Sequence, residues 1–266
     1  MKRSSIVLAV VAGVAWGQSP PAATFVVSSP GSPGSTEEAR SRMDAFAGAI
    51  GGRAGLTLAA VYEPTDAGGA KRLADSGLGL VSLPFFLAHE RELGLHARLQ
   101  AVAKDRPALE TWALIGGKGK PVKSIDKVMT SLAFAPAFVR GVVAGGQLPA
   151  GAQIVQSTTV LSSLRKAAAG EPIAVVVDGA QQASLASLPF AAKLDVLAHS
   201  QPVPAGIVVT VDRKLPAKDW PPIESALLGA AKDSAAALEG LQVTRFEPID
   251  DKALQAARKA YAEGAP

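Results

Sequence analysis

The 266-residue sequence has no cysteine. Disulfides, thiolate metal sites and a cysteine nucleophile are therefore excluded outright. Aromatic residues make up only 5% of the chain, so most of the 48% hydrophobic share comes from Ala, Val and Leu. That share is enough for a substantial core and argues against disorder. Neither sign of charge dominates: 27 Lys and Arg face 23 Asp and Glu, for a formal net charge of +4. Setting Lys2 and Arg3 aside leaves +2, scattered along the chain and not interleaved with aromatics. No nucleic-acid partner is expected from such a pattern. No later stretch reaches the roughly 18 uninterrupted apolar residues that a membrane-spanning helix needs.

Catalytic motifs are also missing. There is no G-x-S-x-G elbow. Ser163 and Lys166 fit the S-x-x-K spacing, but no S-D-N or K-T-G partner accompanies them, so they read as an exposed helix face. Gly116-Gly117-Lys118-Gly119-Lys120 resembles a phosphate loop, yet its spacing is wrong and Pro121 stands where Ser or Thr is required. It reads as a turn. His89, His96 and His199 lack the carboxylate spacing of a metal set, and His89-Glu90 lacks the second histidine of a zincin. No nucleophile and base can be paired, so an enzyme is not expected, nor is a metal or a cofactor.

What is present begins with a secretory signal. Lys2-Arg3 is a basic start, Ile6 to Val14 is a short apolar stretch, and Ala15-Trp16-Gly17 supplies small residues before a cut at Gln18. Residues 18–23 read as a Pro-rich linker. Strand and helix then alternate, which argues for parallel α/β sheets. TFVVSS is the first strand. A helix follows from Thr36, whose hydroxyl caps it ahead of Glu37 and Glu38. The alternation restarts after Gly116, as if the chain made two lobes. A helix is expected over Phe134 to Ala144.

The most regular stretch is 173 to 211. Ile173 to Val177 is a continuous β-branched and apolar run, suited to a strand buried on both faces. Ala180 to Lys193 reads as a helix kinked at Pro189, and Leu194 to Ala198 as a returning strand. In Ser200-Gln201-Pro202-Val203-Pro204 each proline fixes its own φ and restricts the residue before it. The segment is therefore a stiff extended crossing between two strand-rich regions.

Open α/β sheets bind ligands at the carboxyl ends of their strands. The loops placed there carry the candidate ligand-binding residues Ser28, Ser29, Tyr62, Thr65, Ser82, Phe85, Ser131, Phe134, Ser157, Thr158, Asp178, Gln181 and Ser200. Hydroxyls, amides and helix N-termini predominate, groups that hold a ligand without covalent chemistry.

Several segments, in this order, resemble periplasmic substrate-binding proteins of the phosphate/phosphonate (PhnD-like) group of ABC transporters. They are TFVVSS, AKRLADSGLGLVSLPFFL, LIGGKGKPVKSIDKV, AVVVDGAQ and LAHSQPVPAGIVVT. The resemblance spans about Thr24 to Tyr261. It implies an α/β, two-lobed type II periplasmic-binding-protein fold. Each lobe would be an open, mainly parallel sheet flanked by helices, with two hinge crossings between the lobes. Residues 24–114 and 205–266 would form lobe 1, and residues 115–204 lobe 2. The resemblance further implies a monomeric periplasmic receptor that clamps a phosphate- or phosphonate-like oxyanion and delivers it to an inner-membrane permease. The chain departs from the family pattern in two places. Ser131 to Pro136 is mostly apolar where the family has a hydroxyl-rich loop, and the family's Gly-x-x-Asp acid is missing from Ser76 to Leu80. Phe85, Phe86, Trp112, Phe134 and Phe138 leave room for an apolar cleft instead. The alternative is thus a carrier of a lipid or sterol-like ligand; a bilobed interaction protein that has lost its ligand is a third reading. Intact-mass measurement of the exported protein should show a chain that starts at Gln18; retention of Met1 would overturn the signal assignment.

Overall fold

The structure is a computed structural model and describes residues 23–265 other than Pro33 and Asp212. The expected signal peptide (1–17) and all of the expected linker except Ala23 lie outside the described residues. The first strands are the apolar runs of the sequence: β1 (Ala23–Ser28), β2 (Leu58–Glu63), β3 (Leu78–Ser82) and β4 (His96–Ala103). Helices α1 (Thr36–Ala54), α2 (Asp66–Ser76) and α3 (Leu83–Leu93) connect them. The cap of α1 is Ser35, one residue ahead of the expected Thr36. Its Oγ accepts from Glu38 N–H at 3.2 Å, and Glu38 Oε2 accepts from Ser35 N–H at 2.8 Å, which closes a capping box.

The chain then leaves this unit through β5 (Leu109–Glu110) and enters a second one at β6 (Ala113–Gly117). There it forms β7 (Lys127–Thr130), β8 (Gln153–Gln156), α4 (Val160–Ala168), β9 (Ile173–Val177), α5 (Gly179–Ser184) and β10 (Leu194–His199). It returns through β11 (Val203–Pro204) to β12 (Gly206–Thr210), α6 (Trp220–Asp233), α7 (Ala235–Glu239), β13 (Val243–Pro248) and α8 (Asp251–Glu263).

The six-stranded sheet has the order β13-β4-β12-β3-β1-β2, and the five-stranded sheet the order β10-β6-β9-β7-β8. Both are mixed. β1 pairs in parallel with β2 and β3, whereas β12 is antiparallel to β3 and β4, and β13 to β4. In the second sheet β7 is parallel to β8 and β9, while β6 is antiparallel to β9 and β10. The mainly parallel pairing expected from the sequence thus describes one side of each sheet. The reason is connectivity. Strands joined by helical crossovers run one way, but β12 re-enters its sheet from the other unit and must run back, away from the seam between the sheets.

Two expected helices come out shorter. The chain from Ala180 to Lys193 is α-helical only to Ser184, then makes short 3₁₀ turns at Leu185–Ser187 and Ala191–Lys193. Pro189 lacks the N–H that would continue the helix. Between Phe134 and Ala144 the helical part is a π turn, Phe138–Val143, with Ala144 N–H donating to the Val139 carbonyl at 3.0 Å.

One buried cluster runs through both units. Val81, Phe85 and Phe86 of the first unit share it with Leu114, Val128, Phe138 and Val176 of the second, and with Leu254 and Ala257 of α8. α8 follows the six-stranded sheet in sequence but packs on the π turn of the other unit. It is tied to α3 as well: Arg258 Nε donates to Glu90 Oε2 at 3.0 Å, and its guanidinium lies 5.4 Å from the Phe86 ring centre. The approach of α8 to the π turn is very close. A methyl group on Gly141 would stand 1.8 Å from the Ala260 carbonyl oxygen. Gly141→Ala should therefore force α8 away and destabilise the protein by roughly 2–4 kcal/mol in denaturant unfolding. Wild-type stability in that variant would show that the contact is not needed.

Candidate functional site

The two crossings lie side by side. β5 and β11 form a two-stranded antiparallel ladder in which Val203 faces Glu110 and Pro204 faces Leu109. One step further along, Ser200 N–H donates to the Trp112 carbonyl at 2.8 Å, and Trp112 N–H donates to Ser200 Oγ at 2.9 Å. Ser200 is 1% exposed. Its hydroxyl therefore fastens one crossing to the other and does not face a ligand.

Directly beside this ladder is a cavity of about 350 Å³. The strand ends of both sheets wall it. Ser28, Ser29, Pro30 and Gly31 come from the β1–α1 loop, Ser82 and Pro84 from the β3–α3 junction, Thr130, Ser131 and Leu132 from the end of β7, and Asp178 and Gln181 from the end of β9. Arg106, Glu110, Trp112, Ala205 and Gly206 close it on the hinge side. The two units also meet across its mouth. A methyl group on Gly31 would stand 2.7 Å from Ser131 Cβ and 2.8 Å from the Ser131 carbonyl oxygen. With φ at +87°, Gly31 also has a backbone that other residues rarely adopt. The cleft is thus closed at this point.

Of the candidates named from the sequence, Ser28, Ser29, Ser82, Ser131, Asp178 and Gln181 meet at the cavity. The others lie elsewhere. Tyr62 lines a separate hollow with Thr36, Arg40, Met43 and Arg72. Thr65 caps α2, its Oγ1 accepting from Gly68 N–H at 3.2 Å. Phe85 is fully buried in the core and stacks on His89 at 4.6 Å between ring centres. Phe134 packs against the same core. Ser157 Oγ is 3.1 Å from Ser163 Oγ, and Thr158 is exposed beside it. Phe86 and Phe138 are also fully buried, so of the aromatic side chains weighed for an apolar cleft only Trp112 reaches the cavity.

The sequence reading missed Arg106 and Glu110. They flank Pro107 in the first crossing, four residues apart, and this paired spacing beside a proline was the available signal. Arg106 Nη1 is 3.2 Å from Glu110 Oε2 and 3.8 Å from Asp178 Oδ1. Despite the arginine, the Glu110 carboxyl is pushed up to about 7. Burial is the largest cause and the negative charge of Asp178 the next, and together they outweigh Arg106 and the nearby Trp112. Asp178 Oδ1 already caps α5, accepting from Ala180 N–H and Gln181 N–H at 2.8 Å each. Ser82 Oγ and the indole Nε1 of Trp112 belong to residues that line the cavity and are buried without a partner at hydrogen-bond distance, although the indole N–H still favours the charged form of Glu110. Ser28 Oγ, also unpartnered, faces Gly69 of α2 instead. Unsatisfied buried polar groups are costly, and two of them sit among the residues that line this cavity.

No protein-family model and no curated protein matches the chain. Solved structures do. A Xanthomonas citri protein with bound chloride gives a TM-score of 0.68 at 13% identity, covering 91% of this chain and 97% of its own. The binding-protein component of an ABC phosphonate transporter from Pseudomonas aeruginosa gives 0.63 at 16% identity, covering 91% and 86%. PhnD1 from Prochlorococcus marinus, in complex with methylphosphonate, gives 0.60 at 9% identity, covering 91% and 98%. The likeness shows the fold: this is a type II periplasmic-binding-protein structure.

A carboxyl whose pKa is raised on folding stabilises the folded state while protonated. For Glu110 that contribution is complete below the ordinary value of 4.5 and is lost as pH rises toward about 7. Glu110→Gln should accordingly be more stable than wild type at about pH 8, by about 1–3 kcal/mol, and no different near pH 4. Thermal unfolding across that range measures it, and a variant less stable than wild type at pH 8 would reverse the assignment.

Proposed function

We propose that the protein is an exported solute-binding receptor, which closes on a small polar ligand in the cleft between its sheets and hands it to an inner-membrane transporter. The observation that carries this reading is the cavity beside the crossings, walled by strand ends of both sheets and by two residues, Trp112 and Ser82, with an unpartnered polar atom. Its volume of about 350 Å³ falls at the lower end of small-molecule sites. The lining is mixed, with hydroxyls, two amides, an arginine and two carboxylates among aliphatic side chains. That supports a metabolite-sized polar ligand over a lipid or sterol, for which an aromatic or wholly apolar tunnel would be needed. The family resemblance and the fold speak for a receptor and for a phosphate- or phosphonate-like oxyanion as the first ligand class to try. In this reading residues 24–114 and 205–266 form one lobe and 115–204 the other, and α8 packs on both. Residues 1–17 address the chain to the periplasm, and the receptor works as a monomer.

Binding to the folded state alone stabilises it by about 2.7 kcal/mol when the ligand is at a hundred times its Kd. A thermal-shift screen of the mature protein against a broad metabolite library should therefore find at least one compound that raises the melting temperature by several degrees. Trp112→Ala should reduce that shift, since it removes a buried donor from the cavity wall. A screen without any stabilising compound would refute the receptor reading.

A further inference from the structure

The cavity is a poor host for a doubly charged anion. Among the described residues that line it, the charged ones are Arg106, Glu110 and Asp178. The single cation is already paired to one carboxylate and near the other. Anions are commonly held on helix N-termini, but the openings beside this cleft are occupied by their own side chains. α5 is capped by Asp178 within a capping box with Gln181, and α1 by Ser35 with Glu38. At α3 the first turn contains Pro84, which has no N–H, and the Leu83 N–H is given to the Ala205 carbonyl at 3.3 Å. At the end of β7 the Leu132 N–H is taken by Thr130 Oγ1 at 3.0 Å. A phosphoryl dianion needs several charge-assisted donors and would face two carboxylates.

The same wall suits a cation. Glu110 is 7% exposed and Asp178 30%, so both stand in a partly water-excluded place where opposite charge counts for more than in water. Among the described residues Asp178 Oδ2 has no hydrogen-bond partner, since the cap uses Oδ1. The two carboxylates come from different parts of the molecule, Glu110 from the first crossing and Asp178 from the end of β9. Arg106 Nη1 already lies between them, and a second positive group at Asp178 Oδ2 would offset the negative charge that remains. Trp112 Nε1–H can only donate, and the Ser82 hydroxyl can donate as well, so the wall also provides for an acceptor on the ligand.

We propose that the cleft selects a small ligand bearing a protonated amine or guanidinium, held by Glu110 and Asp178, with an acceptor group turned to Trp112 and the Ser82 hydroxyl. This rests on the receptor reading of the same cleft and narrows its ligand class to cationic or zwitterionic amines. Bound, the cation adds to Arg106 in offsetting the like-charge repulsion between the two acids. Arg106 then balances the second carboxylate or meets the acceptor end of a zwitterion.

The test is calorimetry and thermal shift of the mature protein with four probes: the L-α-amino acids, 1,4-diaminobutane, inorganic phosphate and methylphosphonate. At least one amine should bind and raise the melting temperature, whereas phosphate and methylphosphonate should leave it unchanged. Asp178→Asn keeps a side chain able to cap α5, and Glu110→Gln keeps the shape of the hinge. Each should weaken the amine by at least tenfold while the ligand-free melting temperature shows that the variant is folded. Binding of phosphate or methylphosphonate without any amine would overturn this inference and leave the receptor intact. So would amine binding that is unchanged in both folded variants. Failure of these probes together with the wider library would overturn both.

Discussion

Every feature of this molecule depends on the chain passing between two sheets and coming back beside itself. The outgoing strand β5 and the returning strand β11 hydrogen-bond to each other, and the Trp112–Ser200 backbone and hydroxyl bonds extend that ladder. Two paired crossings hold the units in register where a single linker would let them swivel. They also set strand direction. The chain has to leave and return on the same side of the six-stranded sheet, so β12 runs against β3 and β4. The carboxyl ends of β1, β3, β7 and β9 consequently converge beside the ladder, where the cavity lies.

This arrangement puts titratable chemistry on the crossings themselves. Glu110 belongs to the ladder itself, and its carboxyl answers to Arg106 from the same crossing and to Asp178 from the second sheet. Lobe separation would move Asp178 relative to Glu110, so charge in the cleft and closure of the cleft are physically coupled. Buried ionic groups add little net stability as a rule and cost much when left unpaired. Their presence at a hinge fits a role in recognition better than a role in holding the fold.

Much of the fold was legible in the sequence because its signals are local. Ile173 to Val177 reads as a buried strand, and Pro202 and Pro204 mark a stiff crossing without reference to anything distant. The site was legible in part, for a geometric reason. Ser28, Ser82, Ser131 and Asp178 follow strands in the interior of their sheets, and these strands point at the cavity. Tyr62, Thr65, Ser157 and Thr158 follow β2 and β8 by the same local logic, but those strands are the outermost of each sheet. Strand order depends on long-range pairing, and nothing near Tyr62 or Ser157 encodes it. Phe85 and Phe134 face inward because of their position in the turn, which hydrophobicity alone does not reveal. Arg106 precedes and Glu110 ends a strand too short to show periodicity; pairing with β11 fixes Glu110, and Arg106 meets it through their ion pair.

The contact between Gly141 and α8 bears on how such a cleft can open. The terminal helix belongs by sequence to the returning part of the chain, yet its backbone touches that of the π turn in the other unit, and Leu254 and Ala257 lie in the core that the two units share. Any separation of the sheets must either break that apolar seam or turn about it.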